Sequence, residues 1–152
     1  MKQIELFTDG ACSGNPGNGG WACILRYKET EKELFGGAEQ TTNNRMELMA
    51  VISGLKQLKE PCQVLISTDS RYVLDGATKY LTGWQQNNWR RADKKPVLNQ
   101  DLWSELSALL ARHRVSWIWV KGHAGHPENE RVDKLACQQR DAFKAPPVSS
   151  VD

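Results

Sequence analysis

No apolar run in the sequence is longer than a strand, so none is long enough to cross a membrane as a helix. The N-terminus, MKQIELFTDG, lacks the apolar core and small-residue cleavage site of a signal peptide. Cysteine is sparse. Cys12, Cys23, Cys62 and Cys137 stand far apart, with no paired spacing of the kind that binds zinc. Scattered cysteines in a chain without a leader give the expectation of reduced thiols and a cytoplasmic location. Charge of one sign is scarce too: a net charge of +2 is too small to argue for nucleic acid, so only its distribution can do so. Internal repeats and signs of a second domain are missing. What is present is 152 residues, 39% hydrophobic and 25% charged, the balance of one soluble domain long enough to bury a core.

Residues 2–9 read as a strand, "GNPGNGG" as a loop, and Trp21–Tyr27 alternate as a half-buried strand. "KETE" turns into a third strand around 32–39, giving a meander. From Asn44 the period changes, with Leu48, Val51, Ile52 and Leu55 on one helical face that ends before Pro61. A fourth strand covers 63–68 and a short helix 71–81; Leu102, Leu106, Leu109 and Leu110 mark another helix. "VSWIWV" is a fifth strand, and Pro127 opens a last helix whose buried side is Val132, Leu135, Ala136 and Phe143. The tail 145–152, with two prolines and two serines, is expected to be disordered, leaving 1–144 as a single domain. The order βββαβααβα predicts an α/β fold, a mixed sheet with helices packed on its faces.

Two strands end on an acid. Ile4, Leu6 and Phe7 run into Asp9, and Val64, Leu65 and Ile66 into Asp69. A strand reached through a helix usually lies parallel to its neighbour, which would bring both acids out at the C-terminal strand ends, where open α/β sheets bind ligands. Carboxylates on adjacent strands roughly 5 Å apart repel, and a hard divalent cation such as Mg²⁺ relieves that conflict. Either Asp alone is explained as a turn cap. Glu47 lies early in the "NNRMELMAVISGL" helix beside its apolar face; Asn44 three residues before makes it a capping-box glutamate as well. Asp133 borders the buried stripe of the last helix and has no basic partner four residues on.

The stretches "FTDGACSGNPGNGGW", "TTNNRMELMAVISGL", "STDSRYV", "NNWRRADKKPV", "DLW" and "WVKGHAGHPENERVDKLA" resemble the bacterial ribonuclease HI family, in that family's order and over nearly the whole chain. The resemblance implies a ribonuclease H-like fold, a five-stranded mixed sheet with strand 2 antiparallel and helices on both faces. It implies hydrolysis of the RNA strand of RNA–DNA hybrids; a monomer is the simplest expectation. By motif position Asp9, Glu47, Asp69 and Asp133 match the family's metal-binding carboxylates, and His123 its catalytic histidine, in proton transfer or product departure. Two Mg²⁺ ions about 4 Å apart, with Mn²⁺ as a substitute, would activate water and neutralise the leaving oxygen, giving 5′-phosphate and 3′-hydroxyl ends.

Substrate contacts are implied in the same way. Gly10, Cys12, Asn15, Asn43 and Asn44 resemble the readers of 2′-hydroxyls and base edges. Thr42 and Asn99 match a grip on a DNA-strand phosphate, which Gln40 weakens where some relatives carry arginine. Ser70 and Arg71 follow Asp69 into the same groove, with glutamine often at the Arg71 position in relatives. Arg90, Arg91, Lys94 and Lys95 offer phosphate neutralisation, and Tyr80, Trp84 and Trp89 offer flat surfaces. His126 shapes the start of the last helix, and His113 reads as a solvated helix-end residue. Other readings are weaker. A junction resolvase or integrase core lacks the basic handle and the asparagines, a non-catalytic hybrid- or duplex-RNA-binding module has no need of four acids, and the acids are too dispersed for a Ca²⁺ loop.

The handle carries "QQNN" where several relatives have lysines, which predicts a weaker hold on hybrid. Replacing Gln85, Gln86, Asn87 and Asn88 with lysines should steepen the fall of hybrid affinity with salt. Equal slopes for the two proteins would remove the idea.

Overall fold

In the computed structural model, residues 1–121 and 126–142 are described. The elements run β1 (Lys2–Gly14), β2 (Gly17–Tyr27), β3 (Thr30–Thr41), α1 (Asn43–Lys56), β4 (Cys62–Thr68), α2 (Arg71–Asp75), a π turn (Gly76–Tyr80), α3 (Leu81–Gln86), α4 (Gln100–Arg112), β5 (Arg114–Trp119) and α5 (Pro127–Ala142). The sheet order is β3-β2-β1-β4-β5. β2 is antiparallel to β1 and β3, while β4 is parallel to β1 and β5. Alternation along β1 separates two cores. Leu6 joins Leu48, Val51, Ile52 and Leu55 of α1, Val73 of α2 and Trp103 of α4 on one face, while Phe7 and Ala11 meet Val132 and Ala136 of α5 on the other. The expected sheet with helices on both faces is the one observed.

The first hairpin is longer than the sequence suggested. Gly17–Gly20, expected in a loop, belong to β2, and pairing continues from Asp9↔Ala22 to Gly14↔Gly17. Gly14, at φ +99°, permits the turn that a side chain would strain. Glycine-rich composition therefore marked strand pairing here, where close approach of neighbouring chains leaves no room for side chains. Asp9 lies inside β1, yet just beyond Phe7↔Ser67, the last parallel pair with β4.

Three local expectations change. The N-cap of α1 is Thr42, in extended backbone and accepting the Arg45 N–H at 3.2 Å, so Asn44 lies inside the first turn and Glu47 is freed from a capping box. The helix expected over 71–81 runs on to Gln86 through the π turn, where Gly76 meets the Trp103 ring; an added Cβ would sit 2.2 Å from it. Phe143 and the tail 145–152 lie outside the described residues.

His113 is the third. Expected in solvent, it is buried at the end of α4, where Nδ1 accepts the Cys62 N–H at 3.0 Å and ties α4 to the start of β4. A ring nitrogen accepts only when unprotonated, and burial first, with Arg112 beside it, holds the imidazole pKa below its usual value. The unfolded chain therefore takes up this proton more readily, so the bond's stabilisation is complete above about pH 6.5 and fades as pH falls toward the folded value. His113→Phe should cost about 1–3 kcal/mol in urea melts at pH 7.5, by orphaning a buried N–H. The gap to wild type should narrow at pH 5; a gap that stays constant would contradict this account.

Candidate active site

Asp9, Glu47 and Asp69 each place a carboxylate oxygen within 4.8 Å of the others. Asp9 and Glu47 are buried, and Asp69 is half-buried just past the end of β4. Asp9 stands in β1 beside that strand end, and Glu47 arrives from the second turn of α1. The arrival depends on Gly10. A Cβ there would lie 2.5 Å from the Glu47 backbone nitrogen and 2.6 Å from the Met46 carbonyl carbon. Only a bare backbone lets α1 approach this closely. The Gly10 N–H then donates to both Asp9 Oδ1 and Glu47 Oε1, each at 2.9 Å. Asp133, half-buried on α5, comes from the opposite face, near enough to Asp9 to help raise its carboxyl pKa.

Such crowding is unfavourable without a counter-charge. Burial, then the Glu47 charge, pushes the Asp9 carboxyl far above the ordinary carboxylate range. Burial also raises Glu47, with the Asp69 and Asp133 charges adding and the Asp9 and Gly10 hydrogen bonds opposing. Glu47 Oε2 is buried with no hydrogen-bond partner. An orphaned carboxylate oxygen beside two more acids fits a hard, oxygen-seeking divalent cation.

The remaining expected residues fall into three groups. Ser70 caps α2, accepting the Val73 N–H at 3.1 Å, and Arg71 follows it. Cys12 donates its thiol to the Thr41 carbonyl at 3.3 Å, joining the hairpin to the chain entering α1; Asn15 is exposed at the hairpin tip, and Asn43 and Asn44 are exposed on the first turn of α1. Thr42 and Asn99 meet through Arg45, which donates to Asn99 Oδ1 at 3.2 Å and pairs with Asp101 at 2.8 Å. Asn99, at φ +60°, also donates to the Tyr72 hydroxyl, which accepts from Trp103 as well. Sequence reasoning missed Arg45, Tyr72, Asp101 and Trp103 in this network. The first and last two stand in "NNRMEL" and "DLW", but nothing in spacing shows that those stretches touch.

The third group is the handle. Trp84 and Trp89 are half-buried against the main core, whereas Tyr80 stacks on Trp84 at 5.9 Å and stays exposed. Tyr80 and Trp84 line an open depression of about 500 Å³ with Lys79, Arg90 and Arg91. Arg90 donates to the Lys94 carbonyl at 3.0 Å and Arg91 pairs with Asp93 at 3.0 Å, giving the basic loop a fixed shape with Lys94 and Lys95 exposed. His123 lies outside the described residues.

Fold and site together define a class: an α/β protein whose acids gather just past the end of a parallel strand pairing, in the pattern of a metal-dependent phosphodiester hydrolase. The RNase H family model matches residues 1–141. A ribonuclease H of Novosphingobium aromaticivorans is 62% identical over 136 residues, covering 90% of this chain and 95% of that one. A ribonuclease HI of Neisseria meningitidis is 63% identical over 135 residues, covering 89% and 93%. Among solved structures, LC9-RNase H1, described as a type 1 RNase H with the type 2 active-site motif, superposes with a TM-score of 0.84 at 30% identity, covering 93% and 74%. The chain belongs to the ribonuclease H family.

Carboxyl protons held in the folded state set a pH dependence. Above about pH 4 the unfolded chain releases these protons while the folded cluster keeps them, so metal-free stability falls as pH rises, by up to about 1.4 kcal/mol per unit for each retained proton. Asp9→Asn removes part of the conflict. Without metal the variant should melt higher than wild type at pH 8, with a difference that shrinks toward pH 5, and Mg²⁺ should raise its melting temperature less. A metal-free wild type that outlasts the variant at pH 8 would rule out the crowding argument.

Proposed function

We propose that this protein is an endoribonuclease that hydrolyses the RNA strand of RNA–DNA hybrids. The convergence of Asp9, Glu47 and Asp69, with Asp133 near Asp9, is the observation that carries this reading. A phosphodiester is anionic, so it repels both these acids and an incoming hydroxide. A pair of divalent ions bound by these acids, Mg²⁺ by the all-oxygen donor set with Mn²⁺ as substitute, would supply positive charge to offset this repulsion and neutralise the leaving 3′ oxygen.

The chain's own residues do the rest. Asp9 in β1, Glu47 on α1 and Asp69 just past β4 would hold the ions, with Asp133 closing the set of acids from α5. Gly10 orients two of them through one N–H. With cations held by the acids, the cut phosphate would be positioned for in-line attack by water, leaving 5′-phosphate and 3′-hydroxyl ends, with no covalent intermediate on the protein. His123, on its motif alone, is assigned to proton transfer or product departure.

Hybrid selection falls to groups beside the cluster. The exposed amides of Asn43 and Asn44, with Asn15, both donate and accept, as reading a 2′-hydroxyl and base edges in a shallow groove requires. Thr42 and Asn99, fixed by Arg45, form the DNA-strand phosphate grip, and the handle presents Tyr80 with Lys94 and Lys95 to the same strand. The relatives at about 60% identity, named ribonucleases H, support this choice over a resolvase.

Incubating a hybrid labelled on either strand, with and without Mg²⁺, tests the reading. Only the RNA strand should be cut, only with metal. Asp9→Asn should lose at least about a hundredfold in rate, as expected when a preorganised charge-stabilising group is removed, while still binding hybrid. Cutting of the DNA strand, or undiminished turnover by the variant, would overturn it.

A further inference from the structure

Arg71 opens α2 two residues after Asp69. Its guanidinium carbon lies 4.8 Å from the ring centroid of Trp119, and Nη2 is 3.3 Å from Asp75. Trp119 ends β5, is 42% exposed, and donates its indole N–H to the Asp69 carbonyl at 3.4 Å. Both residues are thus anchored to the segment that supplies one corner of the acid cluster. Nothing in the core requires this contact, since Arg71 and Trp119 both stand at the surface.

The arginine is oriented without being used up. Its guanidinium carbon lies over the indole ring, and one end meets an Asp75 carboxylate that Lys79 also approaches at 3.6 Å. Half of the side chain stays exposed. A guanidinium offers five donors in a rigid fork suited to phosphate, and stacking on an aromatic ring leaves the in-plane donors open. Held beside Asp69, the fork lies at the rim of the cluster rather than in the handle, so the anion within its reach belongs to the strand being cut.

We propose that Arg71, stacked on Trp119, seats an RNA-strand phosphate adjoining the scissile one, with Trp119 as the positioning residue. The site rests on the reading of this protein as a hybrid nuclease and adds one electrostatic contact to it, separate from the handle. Trp119 acts only through Arg71, by limiting where the guanidinium can go.

Binding is measured in an Asp9→Asn background, so that hybrid is retained uncut. Arg71→Gln keeps a polar side chain of similar reach and removes the charge. It should lower the slope of log affinity against log salt by about 0.9, one phosphate contact, and weaken binding roughly three- to tenfold at low salt. Trp119→Leu should give part of that loss and add nothing when combined with Arg71→Gln. A hybrid carrying one uncharged methylphosphonate beside the cut site in the RNA strand should bind the parent and Arg71→Gln with equal slopes.

Equal slopes on the unmodified hybrid overturn the proposal, as does a loss that disappears only when a DNA-strand phosphate is neutralised. Variants that melt lower yet keep the parent's slope would show a purely structural pair and also overturn it. Cleavage by the unsubstituted enzyme is followed alongside. Failure to cut the RNA strand sinks the functional reading and the rim site together, whereas normal cutting with unchanged slopes sinks the rim site alone.

Discussion

Everything in this structure is arranged around a repulsion. Asp9 and Glu47 are buried and turned toward each other, and Asp69 and Asp133 add charge from two further elements. Separated in water, Asp9 and Glu47 would ionise freely; gathered here they hold protons or require cations. The fold enforces the gathering with backbone rather than side chains. β1 and β4 run parallel, which sets Asp9 beside Asp69, and the missing side chain of Gly10 admits α1 and with it Glu47. The single Gly10 N–H that bonds both carboxylates is a neutral group that offsets their conflict at close range.

Stability must then come from elsewhere, and two cores supply it. α1, α2 and α4 bury the Leu6 face of the sheet, and α5 buries the Phe7 face. α5 is further fastened by charge: Arg26 pairs with Glu5, Glu31 and Glu128 while lying over the Phe7 ring, and Arg131 pairs with Glu31 and Glu33. These bonds join β1, β2 and β3 to the helix that carries Asp133. Because the acids sit where rigid elements meet, each is positioned by packing several residues away, the arrangement a charge-stabilising site needs.

The groups beside the cluster obey the same logic of anchored bases and exposed tips. Trp84 and Trp89 pack on the core and leave Tyr80 and the basic loop at the surface. Arg45 spans from α1 to α4, so Thr42 and Asn99 keep a fixed separation although 56 residues of chain divide Arg45 from Asp101. Trp119 and Arg71 repeat the pattern beside Asp69, an aromatic surface next to a cation.

Much of this was legible in residue order. Period-two and period-3.6 patterns place the five strands and the long helices because burial of one face depends on spacing alone. Asp9 and Asp69 at the ends of apolar runs pointed to a shared edge, since a crossover through a helix makes strands parallel. The motifs then carried the family. Composition misled where one residue type serves two ends: glycines read as loop build a hairpin, Asn44 and Thr42 are both capable caps, and His113 is polar yet buried. The hairpin was decided by the facing strand and His113 by the Cys62 N–H 51 positions away, while the cap was decided by the extended backbone at Thr42. Sequence by itself determined which residues are apolar, which are acidic and how the elements follow one another. Tertiary structure alone decided that four acids share one space, because their proximity depends on strand order and on how closely α1 crosses Gly10, distances that no local pattern encodes.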